Sequence, residues 1–189
     1  MLQLISKLLL VSTLSVSYKF KFSGTKIQVF KYCTSNTLDR DVKIGNFQII
    51  SSDGDGKSTN IISASSDQNT ILLTDIASGW GNGKHPTTKL CLEFVLNQVK
   101  KGDIFLDYGC GSGILSILAG KLGASKCIGV EVDHDSIRAS RQNGLLNSID
   151  DIFEVVHTRE VYVGMTRFPL ADITVANILP VLRTHFLSK

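Results

Sequence analysis

The residues with the most chemical potential lie in one short run, Ile104-Phe-Leu-Asp-Tyr-Gly-Cys-Gly-Ser-Gly-Ile-Leu115. Apolar residues lead into Asp107, the chain turns through Gly109, Gly111 and Gly113, and an apolar-periodic stretch follows. Glycines at alternate positions keep Cβ atoms out of the way, so a ligand can lie against the backbone. The N–H groups at the start of the following helix point into that space. A dinucleotide-binding turn reads G-x-G-x-x-G and receives a pyrophosphate at the helix end. Here the spacing is G-x-G-x-G, and a carboxylate precedes the first glycine by two positions. A fixed negative charge repels a pyrophosphate and suits a cofactor that carries an ammonium and a sulfonium. The expected cofactor is therefore S-adenosylmethionine, and a nicotinamide-binding Rossmann domain is the disfavoured alternative.

Other chemistry-bearing groups fall at the ends of predicted strands. Glu131 ends an apolar run, where a carboxylate can accept both hydroxyls of a ribose. Asn177 follows a strand directly, in Ala176-Asn-Ile-Leu-Pro180, and a side-chain amide there can orient a nitrogen nucleophile through its carbonyl oxygen. The bland readings are a solvated loop residue for Glu131 and a turn former for Asn177. Gly83-Lys-His-Pro-Thr-Thr88 is a loop into a helix opened by Pro86. It is either simply that, or an anion-friendly helix end able to hold the methionine carboxylate. Cys110 reads as a small residue packed in a tight turn, with a redox role as the alternative. His134, His157 and His185 read as surface residues without evident partners.

The elements that must position these groups alternate. A helix opens at Pro86, carries Leu90, Cys91, Phe94 and Val95 at helical spacing, and ends by Gly102. Asp103 to Asp107 is the first core strand, and Ile114 to Leu122 is a helix stopped by Gly123. Cys127 to Val132 is the second strand, and Asp135 caps a helix over Ser136 to Leu146. Ile152 to Val156 and Ala171 to Ala176 are the third and fourth strands. Strands alternating with helices imply parallel crossovers and an α/β doubly wound sheet, with the ligand outside the carboxyl ends of the strands. Upstream, Phe47 to Ile50, Asn60 to Ile62 and Thr70 to Leu73 are short β-prone runs, so residues 39–78 are either turn-linked strands or a linker. No internal repeat is visible.

At 189 residues and 43% hydrophobic, the chain suits one sizeable domain. A net charge of +3 without a basic run does not argue for direct nucleic-acid binding. The four cysteines form no C-x-x-C pair, so neither a metal site nor a disulfide framework is implied. Met1 to Leu38 contains no Asp or Glu. Its apolar Leu8-Leu-Leu-Val11 is too short to span a bilayer, and the small-residue site Ser15-Val-Ser17 follows. This composition predicts a targeting segment over residues 1–38, directed to a plastid or, second, a mitochondrion. The alternative is an uncleaved strand or helix in a cytoplasmic protein.

Four segments together, Gly83-Lys-His-Pro-Thr-Thr-Lys-Leu-Cys-Leu92, Leu106-Asp-Tyr-Gly-Cys-Gly-Ser-Gly-Ile-Leu115, Ile137-Arg-Ala-Ser-Arg-Gln-Asn143 and Ala176-Asn-Ile-Leu179, resemble the bacterial ribosomal protein L-eleven methyltransferase family, PrmA type. The resemblance runs from about Trp80 to Pro180. It implies a class I, Rossmann-like methyltransferase fold and S-adenosylmethionine contacts at Thr88, Gly109, Glu131 and Asn177. The family usually has Asp where this chain has Glu131, and Gly-Thr-Gly-Thr where it has Gly81-Asn-Gly-Lys84. Family members also carry a substrate-recognition domain ahead of the catalytic one and seven strands in the catalytic sheet. The resemblance therefore implies a fold cut short after about the fourth strand, whose Ile173, Val175 and Ala176 edge would stand open.

The expectation is a protein methyltransferase acting on an amine, a lysine side chain or N-terminal amine, of a protein substrate in the large ribosomal subunit. Asn177 would orient the amine. Thr88, Asp107, Gly109, Gly111, Gly113, Glu131 and Asn177 would hold the cofactor, with no metal and no dedicated base. The alternative is a catalytically inactive cofactor-binding fragment that serves as an interaction module.

Overall fold

The central strand forms because Ile104-Phe-Leu-Asp-Tyr108 is apolar on both faces, as a strand covered on two sides must be. In the computed structural model, which describes residues 18–22, 25–29, 42–51, 68–73, 83–163 and 171–177, five strands come first. They are β1 (Tyr18–Phe22), β2 (Thr25–Val29), β3 (Val42–Ile44), β4 (Phe47–Ser51) and β5 (Thr70–Leu73). Then follow α1 (Pro86–Gln98), β6 (Ile104–Tyr108), α2 (Ile114–Lys121), β7 (Lys126–Glu131) and α3 (His134–Leu146). β8 (Phe153–His157), α4 (Thr158–Val163) and β9 (Ile173–Ala176) complete the described elements.

The larger sheet has the order β1-β2-β9-β6-β7-β8. β6 pairs in parallel with β7 on one side and with β9 on the other, and β8 lies parallel beyond β7. The strand order therefore reverses beside β6, and the glycine turn leaves its carboxyl end at the place where open α/β sheets bind ligands. One face of this sheet shares a core with α1, α2 and α3, built on Phe105, Cys127, Leu92, Val95, Ile117 and Leu118. The other face carries Leu106, Ile128, Val130, Val156 and Ala171.

The edge of β9 is not open. β2 runs parallel to it in the register Lys26↔Ile173 to Val29↔Ala176, and β1 pairs antiparallel with β2. The strict alternation in Tyr18-Lys-Phe-Lys-Phe22 is the period of a strand, a signal that the acid-free composition of this region masks. An edge of unpaired N–H and C=O groups is a liability, and here the same chain covers it. Among the described residues the sheet therefore holds the four expected strands with β1 and β2 added at the β9 edge.

Residues 42–51 and 68–73 form a second, smaller sheet. β3 and β4 form an antiparallel hairpin and β5 lies parallel to β4. Val42, Ile44, Phe47, Ile49, Ile71 and Leu73 belong to the same apolar cluster as the helices. The expected strands at Phe47 and Thr70 are present, whereas Asn60 to Ile62 lies outside the described residues. Elsewhere the boundaries shift by a residue or two. The cap of α3 is Asp133, whose carboxylate accepts the Ser136 N–H, and not Asp135, which pairs with Arg138 in the first turn. α1 ends at Gln98, before the turn at Gly102.

Asn147 joins the two sheets. Its Oδ1 accepts the Leu72 N–H at 2.9 Å, and its Nδ2 donates to the Leu72 carbonyl at 2.7 Å, as a neighbouring strand would. It also donates to the Asn143 carbonyl. Replacing it leaves buried backbone groups of β5 unpaired. Asn147→Ala is expected to destabilise the protein by about 2–3 kcal/mol in urea denaturation, whereas Asn97→Ala on the exposed face of α1 should change it by under about 0.5 kcal/mol.

Candidate functional site

Gly109, Gly111 and Gly113 all have positive φ, at 76°, 54° and 79°. That conformation, rather than residue size alone, makes glycine necessary at these positions. The two later glycines differ in role. A Cβ on Gly111 would meet nothing within 4 Å, so this part of the turn faces open space. A Cβ on Gly113 would lie 3.0 Å from the Phe153 ring, so Gly113 serves close packing of the turn against β8 as well as the start of α2.

α3 holds the turn from behind. Ser140 Oγ donates to the Gly111 carbonyl at 2.6 Å, and Asn143 Nδ2 donates to the Ser112 carbonyl at 2.9 Å. Both residues are fully buried. Three positions apart, they occupy one helical face, so the Ile137 to Asn143 motif acquires a structural role that the sequence left unassigned. Glu131 meets the turn at its rim. Its Oε2 accepts the Gly111 N–H at 2.9 Å, and Oε1 accepts the N–H groups of Val132 and Asp133 at 2.7 and 3.2 Å. The carboxylate is partly exposed at the end of β7, as a ribose-binding group needs to be. Beside it, Val132 is 47% exposed, an apolar surface that the sequence reading missed.

Two of the predicted residues come together across 89 positions on the other side: Asn177 Nδ2 donates to Thr88 Oγ1 at 3.4 Å. Thr88 is buried in the first turn of α1. That helix is capped by His85, whose Nδ1 accepts the Thr87 N–H at 3.2 Å and lies 2.6 Å from Thr87 Oγ1. Burial holds the His85 imidazole below its ordinary pKa, which favours the unprotonated acceptor that the cap requires. The His-Pro-Thr-Thr loop is thus a capped helix start that also presents Thr88 to Asn177.

Asp107 departs from its expected place. It was expected to face the cofactor directly, but its side chain has no exposed surface. Ser116 Oγ donates to Oδ2 at 3.2 Å, and Oδ1 has no hydrogen-bond partner. Burial pushes the carboxyl up to about 7, against the Ser116 hydrogen bond and with the charge of Glu131 adding to the rise. Cys110 is buried, its Sγ 3.5 Å from Ser140 Oγ, and burial raises its thiol pKa well above the ordinary value. It behaves as a packed small residue and not as a thiolate. His134 and His157 are not unpartnered. Their rings stack with centroids 4.8 Å apart, and His157 bridges the Val132 carbonyl and the Arg159 N–H. His185 lies outside the described residues.

The residues present fit S-adenosylmethionine. They offer an open backbone face at Gly111, a carboxylate at its rim, an amide–hydroxyl pair at the switch point and an unpaired buried carboxyl oxygen beneath.

The model of the family described as "Ribosomal protein L11 methyltransferase (PrmA)" matches residues 56–187. Among similar curated proteins, the ribosomal protein L11 methyltransferase of Vibrio cholerae is 43% identical over 108 residues, 57% of this chain and 35% of the relative. That of Shigella sonnei is 42% identical over 114 residues, 60% of this chain and 38% of the relative. The chain thus spans little more than a third of the length of these relatives. Among solved structures, a ribosomal protein L11 methylase from Lactobacillus delbrueckii subsp. bulgaricus superposes with a TM-score of 0.53 at 26% identity, covering 76% of this chain and 67% of that one.

The Asp107 carboxyl makes stability depend on pH. Its folded pKa is raised from 3.8 to about 7, so its favourable contribution is fully present below about pH 4 and is lost as the pH rises through about 7. Asp107→Asn is expected to remove this slope and to be more stable than the unaltered protein above neutrality. Denaturant titrations of both proteins at about pH 5 and pH 8 check it.

Proposed function

Since this chain belongs to the ribosomal protein L11 methyltransferase (PrmA) family, we propose that it carries the S-adenosylmethionine half of an enzyme that methylates an amine of ribosomal protein L11. The contact between Asn177 and Thr88 carries this reading: Ala176 pairs with Tyr108, so the Asn177 amide follows β9 next to the strand that leads into the glycine turn, and there it would orient the nucleophile. When bound, S-adenosylmethionine supplies a methyl group on a sulfonium. Glu131 would accept the ribose hydroxyls, and the turn would give the cofactor a close approach. Asn177 donates through Nδ2 to Thr88, which turns its Oδ1 toward the acceptor side to take an N–H of the incoming amine.

The contribution to rate is mostly positioning. A lysine amine has a reference pKa of about 10.4, so it must shed a proton before it can attack, which a dry site favours. No side chain is assigned as a base. Radiolabelled methyl transfer to purified L11 tests the proposal: label should enter the protein, and Asn177→Ala should lower the rate about a hundredfold. Label on no ribosomal protein would sink it. Glu131→Ala should weaken S-adenosylmethionine binding by about 1.5–3 kcal/mol, the cost of losing hydrogen bonds to a charged group. Calorimetric titration checks that value, and unchanged affinity would remove Glu131 from the site.

The acid-free Met1–Leu38 segment is proposed to carry an organellar address, a plastid first and a mitochondrion second. Among the described residues sheet pairing begins at Tyr18, so a leader ending at Ser15-Val-Ser17 would leave β1 and β2 in place. A reporter fused to Met1–Leu38 should accumulate in an organelle, and a diffuse cytosolic reporter would refute the address.

A further inference from the structure

The functional reading leaves one buried ionisable group without a partner for its charge. Asp107 lies under the glycine turn with no exposed surface, Oδ2 on Ser116 and Oδ1 on nothing. The groups that face it are all unsuited to balance a carboxylate. α1 contributes the Cys91 thiol, the turn contributes Cys110, and β7 contributes the Cys127 thiol and the like-charged Glu131. The thiols are themselves held protonated by burial and by Asp107. The ion pairs of Lys126 with Glu154 and of Arg138 with Asp135 do not involve Asp107.

A buried carboxyl in such surroundings has two stable conditions. It either keeps its proton or sits near a positive charge brought from elsewhere. The hydroxyl and backbone N–H of Ser116 favour the ionised form but do not replace that charge. S-adenosylmethionine carries one more positive charge than its product, and the turn above Asp107 is the surface on which it would lie.

We infer that Asp107 exchanges a proton for the sulfonium charge: it is neutral in the free protein, ionised under the bound cofactor, and neutral again under the product. This rests on the assignment of the cofactor to the glycine turn. The charge balance is simple. On binding, one proton passes from the carboxyl to solvent. On methyl transfer the C–S electron pair stays with sulfur, the sulfonium becomes a neutral sulfide, and the carboxyl takes a proton back from solvent. The carboxyl of the free protein titrates near 7, so the exchange falls close to neutral pH. Its effect is to favour the charged cofactor over the spent one, more strongly as the pH rises. Ser116 is a positioning residue here, since its hydroxyl steadies the ionised form.

Calorimetric titration in two buffers of different ionisation enthalpy reads the protons directly. S-adenosylmethionine should release protons on binding between about pH 5.5 and 7, with affinity rising up to about tenfold per pH unit and levelling off above neutrality. S-adenosylhomocysteine should release fewer. Asp107→Asn should bind S-adenosylmethionine without this release, and Ser116→Ala should move the break in the profile to higher pH. In the unaltered free protein, carboxyl-carbon NMR should show one aspartate titrating near neutrality, a readout that needs neither variant nor ligand. The inference is overturned if the unaltered protein and Asp107→Asn release the same number of protons. Equal release with both ligands, or an ordinary titration of every aspartate, also overturns it while leaving the cofactor assignment intact. Absence of any binding would remove both together.

Discussion

The structure depends on holding three left-handed glycines open at the end of β6. The turn is pinned from both sides: Ser140 and Asn143 of α3 bind its carbonyls, and Glu131 of β7 binds the Gly111 N–H. Each of these partners is fixed by something further out. α3 starts at the Asp133 cap and packs through Ile137 into the core, and Asn147 at its far end grips β5. A cradle of backbone groups keeps its shape only where such contacts over-determine it. The β3-β4-β5 sheet is thus tied through Asn147 to the helix that holds the glycine turn.

The site joins two halves of different character. On the β7 side, carboxylate and backbone N–H groups suit a ribose and an apolar ring, with Val132 exposed alongside. On the β9 side, Asn177 and Thr88 suit an amine and the methionine end of the cofactor. β6 lies between them and contributes Asp107, the buried charge that neither half neutralises. β2, laid against β9 with its carboxyl end level with Ala176, brings the N-terminal segment to the same edge of the sheet.

Much of this was legible in the sequence. The helix–strand alternation after Gly79 set the parallel core, because each element carries its own period of apolar residues and its own stop. The strands at Phe47 and Thr70 were visible for the same reason. Val42–Ile44 is too short to announce itself, and Tyr18–Val29 was hidden by a composition that also describes a leader. Glu131, Asn177 and the glycines stood out as candidates because strand ends in an α/β sheet converge on one crevice.

The sequence by itself determined the turn, its cofactor class and which residues stand at the strand ends, since these follow from local spacing and from the short reach of backbone hydrogen bonding. Only the tertiary structure decided what surrounds them. It brought Thr88 to Asn177, set Ser140 and Asn143 behind the turn, and closed the β9 edge with the N-terminal hairpin. It also buried Asp107, a carboxylate that spacing alone had placed facing the ligand. A side chain's direction depends on the strand's register against two neighbours and on the helix laid over it. Those are long-range contacts, and no local pattern encodes them.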